Sequence, residues 1–129
     1  MDALERIARL LDDESPRKRI AAAVVLGELK VKDPAVVARL VQMAKDPVEA
    51  YAEAAVEALG QLRALKALPV LLDSLGRGRE LQAKARAAVS ALGEEALPEI
   101  RARLSDATPE VRAALSQLLP AVHGRQSFE

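Results

Sequence analysis

"AVEALG" occupies residues 55–60, "AVVLG" residues 23–27 and "AVSALG" residues 88–93. The three phrases end in Gly27, Gly60 and Gly93, two steps of 33 residues (60 − 27 and 93 − 60). A fixed interval of this length marks a repeated supersecondary unit, because one unit that cannot bury its apolar face alone is completed by stacking on the next.

A second phrase alternates with the first. "ALERIARLL" begins at Ala3, "ALPVLLDSL" at Ala67 and "ALPEIRARL" at Ala96. Aligning Leu4, Leu68 and Leu97 brings Ile7, Leu71 and Ile100 together, and likewise Leu11, Leu75 and Leu104. These positions lie at i, i+3 and i+7 and form one helical face. In "PAVVARLVQMAKD" the same places fall to Val37, Leu40 and Ala44. Leu4 to Gly27 and Val37 to Gly60 are both 23 residues, and Leu97 to Pro120 is 23 again. Leu68 to Gly93 is 25, with "LGRGREL" at 75–81 as the place of the two extra residues. The chain therefore reads as four two-helix units, about 2–30, 31–63, 64–93 and 94–122, followed by a tail at 123–129.

The spacing predicts helices near 2–12, 16–29, 34–45, 47–61, 66–76, 79–92, 95–105 and 109–122. Ser15-Pro16, Asp33-Pro34, Asp46-Pro47 and Thr108-Pro109 each place an N-cap side chain before a proline at the first helical position. There the oxygen accepts from an orphan N–H, and proline has none to leave unpaired. "DPVE" at 46–49 resembles a capping box. The glycine closing each second helix has two readings. It lets the next unit approach closely, or it ends the helix in a left-handed conformation.

Composition supports an all-helical core. Half of the 129 residues are hydrophobic, yet only Tyr51 and Phe128 are aromatic, and about a fifth of the chain is alanine. Sheets favour β-branched and aromatic residues; alanine and leucine suit closely packed helices. Nineteen basic and nineteen acidic residues give a formal net charge of zero, so bulk charge supports no nucleic-acid partner. The chain has no cysteine, which excludes disulfides and thiolate chemistry. "MDALERIARLLDDESP" is charged throughout and reads as no signal peptide, and no stretch approaches the roughly 20 apolar residues of a membrane span. A cytoplasmic protein that engages neither membrane nor nucleic acid is the expectation.

The pattern of a proline-initiated first helix, a turn with Asp, and then "VRxAxxxLL" or "AxxAVxALG" resembles HEAT repeats, close in style to the short bacterial HEAT-like repeats of phycobilin lyases. The phrase "SDATPEVRAALSQLL" at 105–119 carries the resemblance best, with Asp106, Val111 and Arg112 in the family's places. It departs at Ala52 and Ala85, where the family often has arginine, and at Pro120, where it has glycine. The resemblance implies a right-handed α-solenoid of eight helices whose second helices line a concave face. It also implies a protein-binding scaffold as the commonest use of the fold.

Chemistry-bearing constellations are sparse. His123 stands alone in the tail without a second ligand at metal spacing. Asp12-Asp13-Glu14 leads into a turn, the serines have no His/Asp arrangement, and "GRG" at 76–78 lacks the pattern of a phosphate loop. It reads as an exposed turn. No catalytic, metal or cofactor site is assigned. "RKR" at 17–19 places positive charge in a first helical turn, against the dipole.

Counting back from each "LG" glycine, positions −9, −6, −5, −2 and −1 are expected to face the core, and −7 and −3 to face out. The outward pairs are Ile20 and Val24, Glu53 and Glu57, Arg86 and Ser90, then Ala113 and Gln117. Unit 1 alone presents two apolar residues. The preferred reading is a non-enzymatic adaptor that binds another protein, with Ile20 and Val24 as anchor and Arg17, Glu53, Glu57 and Arg86 selecting charge. An accessory subunit of a lyase-like or chromophore-handling complex is the first alternative, and a purely structural oligomerising module the second. At the chain's ends, Asp2, Glu5, Arg6 and Arg9 are expected to cap the first helix. Leu115, Leu118, Leu119 and Val122 are expected to leave apolar surface through which the C-terminal end self-associates.

Overall fold

The computed structural model describes residues 2–124. The expectations for the His123 side chain and for 125–129 lie outside the described structure. Eight α-helices follow one another: α1 Ala3–Arg9, α2 Pro16–Glu28, α3 Pro34–Ala44, α4 Glu49–Leu62, α5 Leu68–Asp73, α6 Arg79–Leu92, α7 Leu97–Leu104 and α8 Pro109–Gly124. Single 3-10 turns at Leu10–Asp12, Leu65–Ala67, Ser74–Gly76 and Gly93–Ala96 extend the short first helices. No strand occurs among the described residues.

Each unit is a hairpin: α1 packs on α2, α3 on α4, α5 on α6 and α7 on α8. The units join mainly through their second helices, α2 on α4, α4 on α6 and α6 on α8. One continuous core results, with Leu26, Leu40, Leu59, Leu71, Leu81, Ile100 and Leu115 fully buried. Each such side chain contributes about 1.5–3 kcal/mol by leaving water. Ser74 is buried too, and its hydroxyl donates to the Val70 carbonyl one turn back at 2.8 Å, so it is a satisfied helical serine.

The helix starts vary. Asp2, Asp33 and Thr108 cap α1, α3 and α8 by accepting from Glu5 N, Ala35 N and Val111 N. Ser15 stands at the N-cap of α2 without a side-chain bond. The expected capping box at 46–49 is not formed. Asp46 accepts from Val48 N at 2.9 Å, which makes an Asx turn, and α4 begins only at Glu49. The Glu49 carboxylate turns away to accept from Gly78 N at 2.9 Å.

The glycines of the repeated phrase divide between the two readings. A Cβ at Gly27 would lie 2.9 Å from Ala58 Cα, and one at Gly60 would lie 3.1 Å from Ala88 Cα. These two glycines let consecutive second helices touch. Gly93 instead has φ 69 and open space around it, so it ends α6. In units 1 and 2 the left-handed residue comes three positions later and is not glycine: Lys30 at φ 55 and Arg63 at φ 50. Both close Schellman turns, with Val31 N donating to Leu26 O and Ala64 N to Leu59 O.

A row of arginines locks the first-helix layer. Arg39 reaches back to unit 1, its Nε 3.3 Å from Asp12 and its Nη1 3.5 Å from Ala8 O. Arg77 grips unit 2 through the carbonyls of Ala44 (3.1 Å), Asp46 (2.6 Å) and Pro47 (3.3 Å). Arg103 reaches unit 3 at Asp73 and the Pro69 carbonyl, and also pairs with Glu99. Burial works against the charge on Arg103, but hydrogen bonds and charge from Asp73 and Glu99 outweigh it and raise its pKa. The turn at 76–79 is thus only partly exposed. Gly76 and Arg79 face water, while Arg77 and Gly78 are half-buried in this clasp.

Candidate interaction surfaces

The buried stripe of the second helices is displaced from the expected one. Positions −5 and −4 are buried in all three glycine-bearing units, as Ala22 and Ala23, Ala55 and Val56, Ala88 and Val89. Position −8 is buried as Ala52 and Ala85; an arginine there would lose its water, so these alanines belong to the close-packed row. Lys18 and Ala21, expected inside, are exposed. A second helix touches its hairpin partner and the second helices before and after it. Its apolar sector is therefore wide, and alanine marks that sector's edges weakly.

Position −7 is consequently half-buried in the three glycine-bearing units, while Ala113 of unit 4 is exposed. Ile20 packs against the core rather than facing out. Val24 stays 42% exposed, and Arg17 beside it is exposed. Glu53 and Arg86 are half-buried and Glu57 is exposed. The link between α4 and α6 runs from Glu57 to Lys84 at 3.1 Å, not to Arg86. Arg86 makes a 3.5 Å contact with Gln82, one turn earlier in α6. Of the "RKR" cluster, Arg19 lies over the Tyr51 ring at 4.9 Å, a cation–π contact between α2 and α4, while Arg17 and Lys18 remain in water.

The two ends of the stack reverse expectation. Leu115, Leu118 and Val122 are fully buried and Leu119 is half-buried, because α8 lies against α6, α7 and the turn at 93–96. The apolar surface invoked for C-terminal self-association is therefore not there. Unit 1 carries uncovered apolar surface instead: Val25 is 38% and Leu29 58% exposed. Their counterparts 33 residues on, Ala58 and Leu62, are 1% and 4% exposed. Ala58 meets Gly27 of unit 1, whereas Val25 meets solvent. Leu4, 44% exposed, borders the groove between α1 and α3. Asp2, Glu5, Arg6 and Arg9 do face water, but they do not cover this apolar surface.

Shallow grooves follow the joints between units. One of about 270 Å³ lies between α4 and α6, lined by Glu57, Gln61, Lys84 and Ala87 among others. Another of about 380 Å³ lies where the ends of the second helices meet the starts of the first, lined by Lys32, Pro34, Val37, Ala64, Leu65 and Lys66. Among the described residues no group of three or more His, Asp or Glu side chains is placed to hold a metal. No described helix is long and apolar enough to cross a membrane.

The architecture is shared with solved structures. The chain is similar to a chain in the complex of CpcE and CpcF of phycocyanin lyase from Nostoc sp. PCC7120, with a TM-score of 0.74 and 22% identity. That match covers 96% of this chain and 55% of the other. An engineered protein matches with a TM-score of 0.65 and 17% identity, over 95% of this chain and 63% of that one. The chain thus spans little more than half the length of the first and under two thirds of the second, and at these identities the likeness is one of fold. No curated protein matches the sequence. The family model for HEAT repeats matches residues 3–93, the three units that end in Gly27, Gly60 and Gly93. With most of its length inside that match and four stacked hairpins in its structure, the chain belongs to the HEAT-repeat family.

Proposed function

We propose that the chain is a non-enzymatic scaffold whose first unit docks a protein partner. The observation that carries this reading is the inversion at Val25 and Leu29, exposed where Ala58 and Leu62 are buried. Exposed contiguous apolar patches mark interaction sites. The partner's chemistry follows from unit 2, where α4 receives a helix bearing Ala23 and Gly27. A helix with small residues one turn apart fits the same face on α2. Val24 and Arg17 extend the surface onto the second-helix side, where Glu53, Glu57 and Arg86 set its charge further along. Ile20 supports Val24 from within the core.

The cysteine-free chain allows a direct test. A photo-crosslinker on Leu29→Cys should capture one partner from native cells, and the purified partner should bind the unmodified chain. Val25→Glu with Leu29→Glu should abolish that binding while helicity and melting temperature stay unchanged. Binding that survives this pair of changes would overturn the proposal.

A second reading, an accessory subunit of a lyase-like complex that handles a chromophore, is favoured by the likeness to a chain of the phycocyanin lyase complex. It requires the captured partner to be a second subunit of such a complex. The complex purified from the native host should then absorb visible light as a tetrapyrrole does. A colourless complex with an unrelated partner leaves the scaffold reading alone.

A further inference from the structure

The turns that end α2 and α4 form a surface distinct from the docking face of unit 1. They read "LKVKDP" from Leu29 and "LRALKALP" from Leu62. The two turns touch, because the Lys32 ammonium donates to the Arg63 carbonyl at 3.1 Å. Four cations gather here: Lys30, Lys32, Arg63 and Lys66, all exposed. Among the described residues, none of the four lies within ion-pair distance of a carboxylate. Asp33, the nearest acid in sequence to Lys32, spends an oxygen on Ala35 N at the start of α3. Set against Glu28 and Asp33 of the first turn, the four cations leave a local excess of two in a chain of zero net charge.

The cations border an apolar groove. Lys32 and Lys66 line the 380 Å³ groove together with Pro34, Val37, Ala64 and Leu65, and Leu65 is 43% exposed. The backbone points the same way. Lys30 and Arg63 hold the left-handed conformation that costs an L-residue about 1 kcal/mol and glycine almost nothing. Unit 3 places glycine at its left-handed position, Gly93, and follows it with Glu94 and Glu95. Cations stand at the less favourable positions only along this one edge. Held strain of this kind is a pointer to function.

We propose that the edge formed by residues 30–32 and 63–66 binds an acidic peptide segment, its carboxylates on Lys30, Lys32, Arg63 and Lys66 and one apolar side chain in the groove against Leu65. Nucleic acid fits less well, since the groove has no aromatic side chain on which a base could stack. A bilayer fits less well too, because a single exposed leucine in a concave groove gives little to insert.

The test uses a fluorescein-labelled decapeptide of alternating Glu and Asp with a central Leu, beside the same peptide with Gln and Asn in place of the acids. Fluorescence polarisation should show saturable binding of the acidic peptide alone, weakening as salt rises. Lys32→Glu with Lys66→Glu should weaken it about tenfold or more, as reversal of interfacial charge does. Leu65→Ser should weaken it with the salt dependence unchanged. Because Lys32→Glu also removes the bond to Arg63 O, Lys66→Glu alone provides a variant free of that bond, with helicity checked for both. Equal binding of the neutral peptide, or no loss in the charge-reversed variants, would overturn the proposal. So would tighter binding of a poly-dT oligonucleotide or of phosphatidylserine vesicles. Lys66→Glu, which lies in the other turn, should leave the partner captured through Leu29 bound, so this site and the docking face of unit 1 stand or fall separately.

Discussion

Units 1 and 4 are the two ends of one stack, and they end it in opposite ways. At the C-terminal end α8 turns Leu115, Leu118 and Val122 inward and presents Arg112, Ser116, Gln117 and Pro120 to water. Pro120 stands where the repeat has its close-approach glycine, so another second helix could not approach there as α4 approaches α2. At the N-terminal end Val25 and Leu29 stay on the open face of α2. Among the described residues, α8 presents a polar surface and a misfit residue, whereas α2 presents the apolar Val25 and Leu29. A solenoid needs polar caps to stay soluble.

The largest expected effect contrasts these ends directly. Leu118→Ala should cost about 2–5 kcal/mol, the range for deleting a buried leucine and leaving a cavity. Leu29→Ala should stay within about 0.5 kcal/mol, as exposed positions do. Urea titration reads both as midpoint shifts at unchanged slope. Similar losses at the two positions would mean that unit 1 is covered in solution, and the contrast between the ends would collapse.

Next comes the clasp between the middle units. Arg77→Ala removes three bonds from a charged donor to the carbonyls that close α3 and its following turn. A loss of about 1.5–3 kcal/mol is expected. Arg77→Lys should recover only part of it, because a single ammonium cannot reproduce the planar fork. Hydrogen exchange should quicken at 44–49 while α8 stays protected. Uniform acceleration along the chain would show that the clasp holds the whole stack rather than one joint.

A smaller effect is expected at Gly27. The added methyl of Gly27→Ala improves helix propensity by about 1 kcal/mol. It also wedges against Ala58, with overpacking worth about 1–3 kcal/mol. The net expectation is a loss of about 0–2 kcal/mol. Because unit 1 has a single neighbour, the loss should appear as faster exchange in α1 and α2 with α6 to α8 unaffected. Gly93→Ala meets no neighbour, so any cost there comes from its positive φ alone.

These glycines also show how far the residues alone could be read. Their 33-residue spacing led to the four units and to helix bounds within about two residues, because a repeated apolar face is a long-range pattern written locally. The identical phrase conceals two roles. Gly27 and Gly60 are contact points and Gly93 is a terminator, which depends on where "LGRGREL" shifts α6 against α4. Candidate surfaces were less legible. Val24 is exposed, while Ile20 is half-buried against the core; alanines at −6 and −5 leave the helix phase ambiguous. Val25 and Leu29 escape such a reading because their sequence is that of buried residues, like Ala58 and Leu62 at the matching places. The arginine clasps were invisible. Arg77 bonds to backbone carbonyls about 30 residues away, and no side-chain spacing signals a carbonyl.

The smallest effect has the opposite sign. Lys30 and Arg63 sit at matching positions with φ 55 and 50, each three residues past a close-approach glycine. Glycine at either place relieves the crowding of Cβ against the following carbonyl, so Lys30→Gly and Arg63→Gly should each stabilise the fold by about 0.5–1 kcal/mol. The two turns touch where Lys32 bonds the Arg63 carbonyl, so the double variant measures any coupling between the two gains. Thermal melts of the single and double variants measure this. The same substitutions remove two of the four cations on the edge proposed to bind acidic peptides, so a firmer fold should bind the decapeptide more weakly. A double variant that is more stable and binds equally well would show that these left-handed cations serve neither stability nor that site.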